Sequence, residues 1–433
     1  MRRNYHLYLS HGQKEYFSLP EKWVPLHFVE SEEKPPIPSI QQMALEALSH
    51  PIGTPPLQEL VLRARKIAII VDDLTRPTPA AEILKVLLSR LLGEGFPGEN
   101  ITIVMAIGTH EVMERDALEM KLGKNVASTY KVVQHNAWQN DLVPIRIPGD
   151  EKVVKINPEV AQANLRFGIS SILPHPMAGY GGGPKIVMPG VCNFEYIRDH
   201  HTKHVIHPRS ALGVTKGNPF HEGCMKTARA IGLDFSINCI YSQKGEVIRI
   251  IGGSLEIAFA EAVKVCSDKL GHKFDEKVDV TITSTYPHTH GHQLFKGLST
   301  PDVVTKNGGA ILLVAPVVGP ISSEFLNSIN EVREKSNDDP AAYIKEALSK
   351  GMAFLPDKPM DFNMAMSTVF LRPEIRTILV SPFISKDETR IMGLEYASSI
   401  EQGLGLLQKD YPSARVAIFP SGGLIVPITA WER

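Results

Sequence analysis

The clearest rhythm along the chain is a short, unbroken apolar run that ends in polar residues and leads into a helical period. "KIAIIVDD" (66–73) is such a run, and "AAEILKVLLSRLLGEGF" behind it is spaced as an amphipathic helix. "NITIVMAIGTH" (100–110) repeats the unit, with the polar helix "EVMERDALEMKLG" after it. "YKVVQH" (130–135) and "LRFGISSIL" (165–173) are further strand runs, and "SLEIAFAEAVKVCSDKLG" (254–271) closes this half as a helix. A second cycle opens with "VDVTITSTYP" (278–287) and a helix, then "GGAILLVAPV" (308–317) and a long helix from about 323. It ends with "IRTILVSPF" (375–383), another helix and "ARVAIFPSGG" (414–423). Strands without alternation, separated by helices, predict mostly parallel sheets covered on both faces. The expected fold is α/β, with one domain over residues 1–272, a second over 273–433, and an active cleft between them. Residues 30–56, charged and Pro-rich, read as a connecting or wrapping segment.

Composition narrows the function more than the fold. At 433 residues and 43% hydrophobic, the chain can bury large cores. Lys plus Arg is 46 against 47 Asp plus Glu, which argues against a nucleic-acid partner. The longest apolar run, "ILLVAPVVGPI" (311–321), is too short to span a membrane. "MRRNYHLYLSHG" lacks the apolar core of a signal peptide. Cys192, Cys224, Cys239 and Cys266 share no CxxC spacing and read as reduced thiols of a cytoplasmic protein. Of 16 histidines, nine fall within 175–221 and 288–292, more clustered than surface scatter would give.

In open α/β sheets ligands bind beyond the carboxyl ends of the strands. That rule gathers Asp72, Asp73, Thr75 and Arg76 from "DDLTRPTP", His110 from "GTH", His175 after "ISSILP", and "YPHTHGHQLFK" from the second half. Each has a plainer reading. "DDLTRPTP" also suits a helix-capping turn, and a lone histidine often packs or caps. Arg76 fits bidentate carboxylate or phosphate binding, and His175, stiffened by Pro174 and Pro176, fits acid–base work. In "DHHTKHVIH" (199–207), helical spacing puts His200, His204 and His207 on one face and His201 elsewhere. A zinc-hydrolase reading would use that face, but no HExxH accompanies it, and a solvated histidine face serves equally.

"HPMAGYGGGPKIVMPG" (175–190) resembles a phosphate loop, yet Lys185 is followed by Ile186 where a P-loop has Ser or Thr. Together with "DDLTRPTP", "GTH" and "YPHTHGHQLFKG", this stretch resembles the lactate racemase family, the nickel-pincer nucleotide enzymes, over about residues 66–297 and plausibly beyond. The resemblance implies that the first domain binds the cofactor. Lys185 would be tethered through a thioamide to a pyridinium mononucleotide carrying nickel, and His201 would be the one protein ligand of the metal. His110 and His175 would be the acid–base pair. Asp73 and Thr75, with the amides of Gly181, Gly182 and Gly183, would hold the cofactor and its phosphate. Arg76, Gln293 and Lys296 would hold the substrate, a small-molecule 2-hydroxy acid. Separate biosynthetic enzymes would supply the cofactor.

The implied reaction is racemisation or epimerisation at C2 by hydride transfer to and from the cofactor. Departures from the family pattern are Glu111 after "GTH", His200, and the run His288, Thr289, His290. They favour a larger or polyhydroxylated acid over lactate, unless they are merely solvated near the cleft mouth. Two alternatives stay open: a pincer-dependent oxidoreductase or dehydratase, and an unloaded carboxylate- or nucleotide-binding protein.

Overall fold

The structure, a computed structural model, describes residues 4–10, 12–30, 37–149, 152–372 and 374–431. Twelve strands form two six-stranded sheets. In chain order they are β1 (Trp23–Phe28), β2 (Ile67–Val71), β3 (Ile101–Met105), β4 (Lys131–Gln134), β5 (Leu165–Ile172), β6 (Phe235–Tyr241) and β7 (Val247–Gly253). β8 (Val278–Ser284), β9 (Thr305–Val314), β10 (Arg376–Val380), β11 (Glu395–Ala397) and β12 (Ala414–Phe419) follow. The first sheet runs β7-β6-β5-β2-β3-β4 and is parallel except for the β6/β7 pair. The second runs β11-β10-β9-β8-β12-β1 and is parallel throughout.

The apolar runs are central strands because helices cover both of their faces. Every residue of β2 and β3 is buried. The helix Ala80–Gly93 buries Ile83, Leu84, Leu87, Leu88 and Leu91, the stripe its sequence spacing predicts. It ends where Gly95 takes a positive φ of 80°. Mostly parallel α/β architecture thus agrees with the sequence reading. No helix among the described residues is long and apolar enough to cross a membrane. All four cysteines are buried and free.

Three features differ from the sequence reading. A division at 272/273 groups the N-terminus with the first domain, but β1 pairs in parallel with β12, at the edge of the second sheet. The hairpin Asn4–Ser10/Gln13–Ser18 follows it there, with Tyr5, Leu7 and Phe17 packing against Val280 and Ile282. A short edge strand carries no local mark of its distant partner. Part of the 30–56 segment is a helix, Ile40–Ser49, closed by a Ser39–Gln42 capping box, while residues 31–36 lie outside the described set. The antiparallel edge β6/β7 and the helices Pro340–Ser349 and Met360–Phe370 were not foreseen.

In both sheets the strand order reverses beside the first central strand. In the first sheet β2 leads to β3 and β4 on one side, and β5 lies on the other; in the second, β8 leads to β9 on one side and β12 lies on the other. A crevice opens at such a reversal, beyond the carboxyl ends. Ile103 is fully buried in β3, whereas Leu62 is 78% exposed. Ile103→Ala is expected to cost about 2–5 kcal/mol in urea unfolding, and Leu62→Ala to stay within about 0.5 kcal/mol.

Candidate active site

One pocket collects the ends of both sheets. Asp73 and Arg76 enter after β2, Thr109 and His110 after β3, and His175, Gly181, Gly182 and Lys185 after β5. His201 comes from the helix Phe194–His204; His292, Gln293 and Lys296 follow β8, and Asp361 opens the helix Met360–Phe370.

Asp73 organises the β2 end. Its Oδ1 accepts from the Thr75 amide at 2.8 Å and from the Thr75 hydroxyl. Its Oδ2 lies 2.6 Å from His110 Nδ1. Burial pushes this carboxyl up, but the His110 ring, Arg76 and the Thr75 hydroxyl outweigh it and hold it well below the usual carboxylate range. Asp73 is therefore an anion, His110 Nδ1 donates to it, and the ring's other nitrogen has no hydrogen-bond partner among the described residues. Arg76 donates to Thr75 Oγ1 at 2.6 Å. Beneath, Asp72 pairs with buried Lys121 at 2.8 Å and accepts from Thr78 at 2.6 Å, and Lys121 also donates to the Arg76 carbonyl at 3.0 Å. The strand end is thus tied down by charge-assisted bonds.

The glycine loop is shaped by lack of room. A Cβ on Gly182, whose φ is 73°, would stand 2.5 Å from the Ser171 carbonyl, and one on Gly183 2.1 Å from the Phe259 ring. Gly181, Gly182 and Gly183, the amides expected to approach a phosphate, differ in what they bond. The Gly181 amide donates to the Leu173 carbonyl at 2.8 Å and that of Gly183 to Ser170 Oγ at 2.9 Å. A strand-end loop this tightly folded spends its donors on itself, and among the described residues Gly182's amide alone of the three has no such bond. His175 Nδ1 accepts from the amides of Met177 at 3.2 Å and Ala178 at 3.1 Å. Burial, then Lys185, Lys296 and Arg76, push its pKa well below the usual imidazole range.

Lys185 and His201 share a wall: the Lys185 amine is 4.9 Å and the His201 ring 4.7 Å from the Phe220 ring centre. Burial, with Arg76 adding and Cys224 opposing, pushes the Lys185 amine down to about 8. Burial and then Lys185 push His201 down to about 3, so its imidazole is neutral. His201 Nδ1 lies 2.8 Å from the Ile197 carbonyl; donation there leaves Nε2 as a lone pair suited to a metal. The face His200, His204, His207 does not assemble: His207 lies past the helix end and is exposed, and His200 Nε2 is 3.1 Å from the Phe220 carbonyl. Among the described residues no group of three or more His, Cys, Asp or Glu is placed to hold a metal ion.

Arg76, Lys185 and Lys296 bring three cations to one pocket, and Lys296 has no ion pair among the described residues. Burial, Arg76 and Lys185 all press its pKa well down, a repulsion that an anionic ligand would relieve. Gln293 Oε1 is buried with no hydrogen-bond partner among the described residues, an acceptor left for a ligand. Among the departures, His288 is buried and Glu111 exposed, and neither they nor His290 line the pocket. Sequence reasoning missed Thr109, His292 and Asp361, although His292 stands inside a quoted motif. The cavity measures about 150 Å³, which suits a small acid and falls below the ~300–1,000 Å³ of pockets for drug-sized ligands.

Residues 11–213 match the family description "Lactate racemase N-terminal domain". The chain is 27% identical to the lactate racemase of Lactiplantibacillus plantarum over 401 residues, 90% of this chain and 91% of that protein. It is 27% identical over 328 residues to that of Thermoanaerobacterium thermosaccharolyticum, covering 74% and 75%. The chain thus matches a lactate racemase N-terminal domain over residues 11–213 and is similar to lactate racemases over most of its length. The solved lactate racemase apoprotein from T. thermosaccharolyticum has the same fold, with a TM-score of 0.83 at 22% identity over 98% of this chain and 100% of that one. A protein from Thermotoga maritima aligns with a TM-score of 0.66 at 20% identity, covering 93% and 100%. The motifs that suggested the family lie partly within the matched domain, Asp73 to His201, and partly beyond it, at Gln293 and Lys296.

The depressed Lys185 amine has a measurable consequence. Pulse acylation read by peptide mass spectrometry is expected to show Lys185 reactivity rising through about pH 8, against about 10.4 for ordinary lysines. Arg76→Gln removes a neighbouring cation and is expected to move that midpoint upward.

Proposed function

We propose that this protein is an isomerase that inverts C2 of a 2-hydroxy acid, working with a nickel-pincer nucleotide carried on Lys185. The observation that carries the reading is the convergence of a carboxylate-held histidine, a second histidine, an uncommitted cation cluster and the Lys185–His201 wall on one small pocket. The names of the relatives point the same way.

The residues fit the implied group chemically. A near-neutral buried amine suits covalent attachment, and a single neutral histidine suits a metal whose other ligands come with the cofactor. Asp73 and Thr75, with the Gly182 amide, would face its phosphate end. When bound, the group supplies a reversible acceptor for the hydrogen on C2, which no side chain of the pocket provides. Room for a mononucleotide requires the pocket to widen beyond its present volume.

The protein's own share is to bind, orient and move a proton. Arg76 and Lys296 hold the carboxylate, and Gln293 Oε1 accepts from the substrate hydroxyl or the cofactor. His110, with Nδ1 committed to Asp73, takes the C2 hydroxyl proton on Nε2. His175 is the proton partner on the opposite side. The planar keto acid left between them can regain hydrogen on either face. Lining from both halves keeps water from the reacting carbon. A cytoplasmic enzyme supplied by separate cofactor-building enzymes accords with four free, buried thiols.

The test uses protein co-produced with those enzymes and a panel of C2-deuterated hydroxy acids. Inversion with the label largely retained at C2 is expected; complete washout to solvent would sink the reading in favour of enolisation. Lys185→Ala is expected to lose the cofactor's mass increment and His201→Ala to lose bound nickel. His110→Ala should lower kcat by about 10²–10⁴-fold.

A further inference from the structure

Two polar residues of the pocket wall, His292 and Asp361, have no part in the chemistry above. Asp361 stands in the first turn of its helix, where the dipole favours an anion. Its Oδ2 lies 2.8 Å from His292 Nε2, and its Oδ1 accepts from Thr109 Oγ1 at 3.2 Å. The His292 ring is fixed by stacking on Phe325 at 4.8 Å and by the edge contact of Phe362 at 5.2 Å. Burial pushes the Asp361 carboxyl up, but His292 and then His110 hold it below the usual carboxylate range. A fixed negative charge therefore sits beside the loop that carries His110.

We propose that Asp361 and His292 form the subsite that reads the substrate beyond C2, and that it selects a 2-hydroxy acid bearing a further hydroxyl. Aliphatic 2-hydroxy acids and dicarboxylates would be disfavoured. The proposal rests on the racemase reading above.

The argument is one of complementarity. The substrate carboxylate has cations in Arg76 and Lys296, so the remaining polar feature of the opposite wall is free to read something else. Each Asp361 oxygen has accepted one hydrogen bond and keeps a lone pair, which a hydroxyl can use as a donor. A second carboxylate would meet like charge. An alkyl group would cover the charged oxygens without bonding them, the arrangement by which a site built for a hydroxyl rejects its deoxy analogue. Around the pair the wall is largely apolar, formed by Phe295, Met360, Met364 and Ala365, and the hydroxyl of Thr368 already donates to the Met364 carbonyl at 2.9 Å, so few other groups can hold a hydroxyl there. The competing role is a latch, in which Asp361 serves only to join the two halves through Thr109.

Cofactor-loaded protein would be assayed on glycerate, lactate, 2-hydroxybutyrate and malate, and the same acids titrated into it by calorimetry. Glycerate is expected to exceed 2-hydroxybutyrate and malate at least tenfold in kcat/KM. Asp361→Asn and His292→Phe should each shrink that preference at least tenfold, whereas Thr109→Val should change all acids in common. Equal loss on every acid in Asp361→Asn, or a wild-type preference for the aliphatic acid or the dicarboxylate, overturns the subsite. If no acid is inverted, the racemase reading fails and calorimetry still decides. Tighter glycerate binding that is lost in Asp361→Asn supports the subsite, and equal or absent binding of all acids overturns it.

Discussion

A carboxylate buried in a protein must be surrounded by donors, and Asp73 draws them from two separate loops. One oxygen gathers Thr75 from its own turn, and the other reaches across to His110 beyond β3. Thr75 then steers Arg76, and Arg76 leans on the charge of Lys185 and Lys296. Removing the negative charge at Asp73 would leave Arg76, Lys185 and Lys296 in one pocket with less to balance them. The orientation of the His110 ring, the direction of the guanidinium and the depressed lysine are therefore one electrostatic arrangement.

The fold makes that arrangement possible by bringing two reversals of strand order together. Each sheet alone would offer an open crevice at its carboxyl edge. The first contributes Asp73, Arg76, His110, His175 and Lys185, and the second contributes Gln293, Lys296, His292 and Asp361. The Thr109–Asp361 hydrogen bond joins them beside His110, so closure and orientation of that loop share a contact. The N-terminal hairpin and β1 reinforce the second sheet from the opposite end of the sequence.

Much of the scaffold was legible because buried parallel strands are written as unbroken apolar runs, and their polar ends announce themselves. Asp73, Arg76, His110 and His175 follow from that rule, and the pocket contains all four. Resemblance was needed to separate His201 from His200, since helical spacing favours the latter; a place in the pocket wall and the bond to Ile197 distinguish His201 only in three dimensions. The edge strand β1 was illegible because its partner lies almost 400 residues on, at Ala414–Phe419. Asp361 was hidden in "PMDFNMAM", which reads as an ordinary helix start, and only the folded chain sets it against His292 and Thr109. Composition alone also cannot show that two amides of the glycine loop donate within the loop and its strand.

The two amides that point at His175 Nδ1 have a consequence for symmetry. A ring nitrogen that accepts from backbone N–H groups cannot itself carry hydrogen, so neutral His175 is the tautomer protonated at Nε2. His110 instead donates from Nδ1, to Asp73. Two histidines that look interchangeable in the sequence thus use the same ring nitrogen in opposite senses, His175 Nδ1 accepting and His110 Nδ1 donating. Left- and right-handed substrates would meet a pocket that is itself handed in its protons.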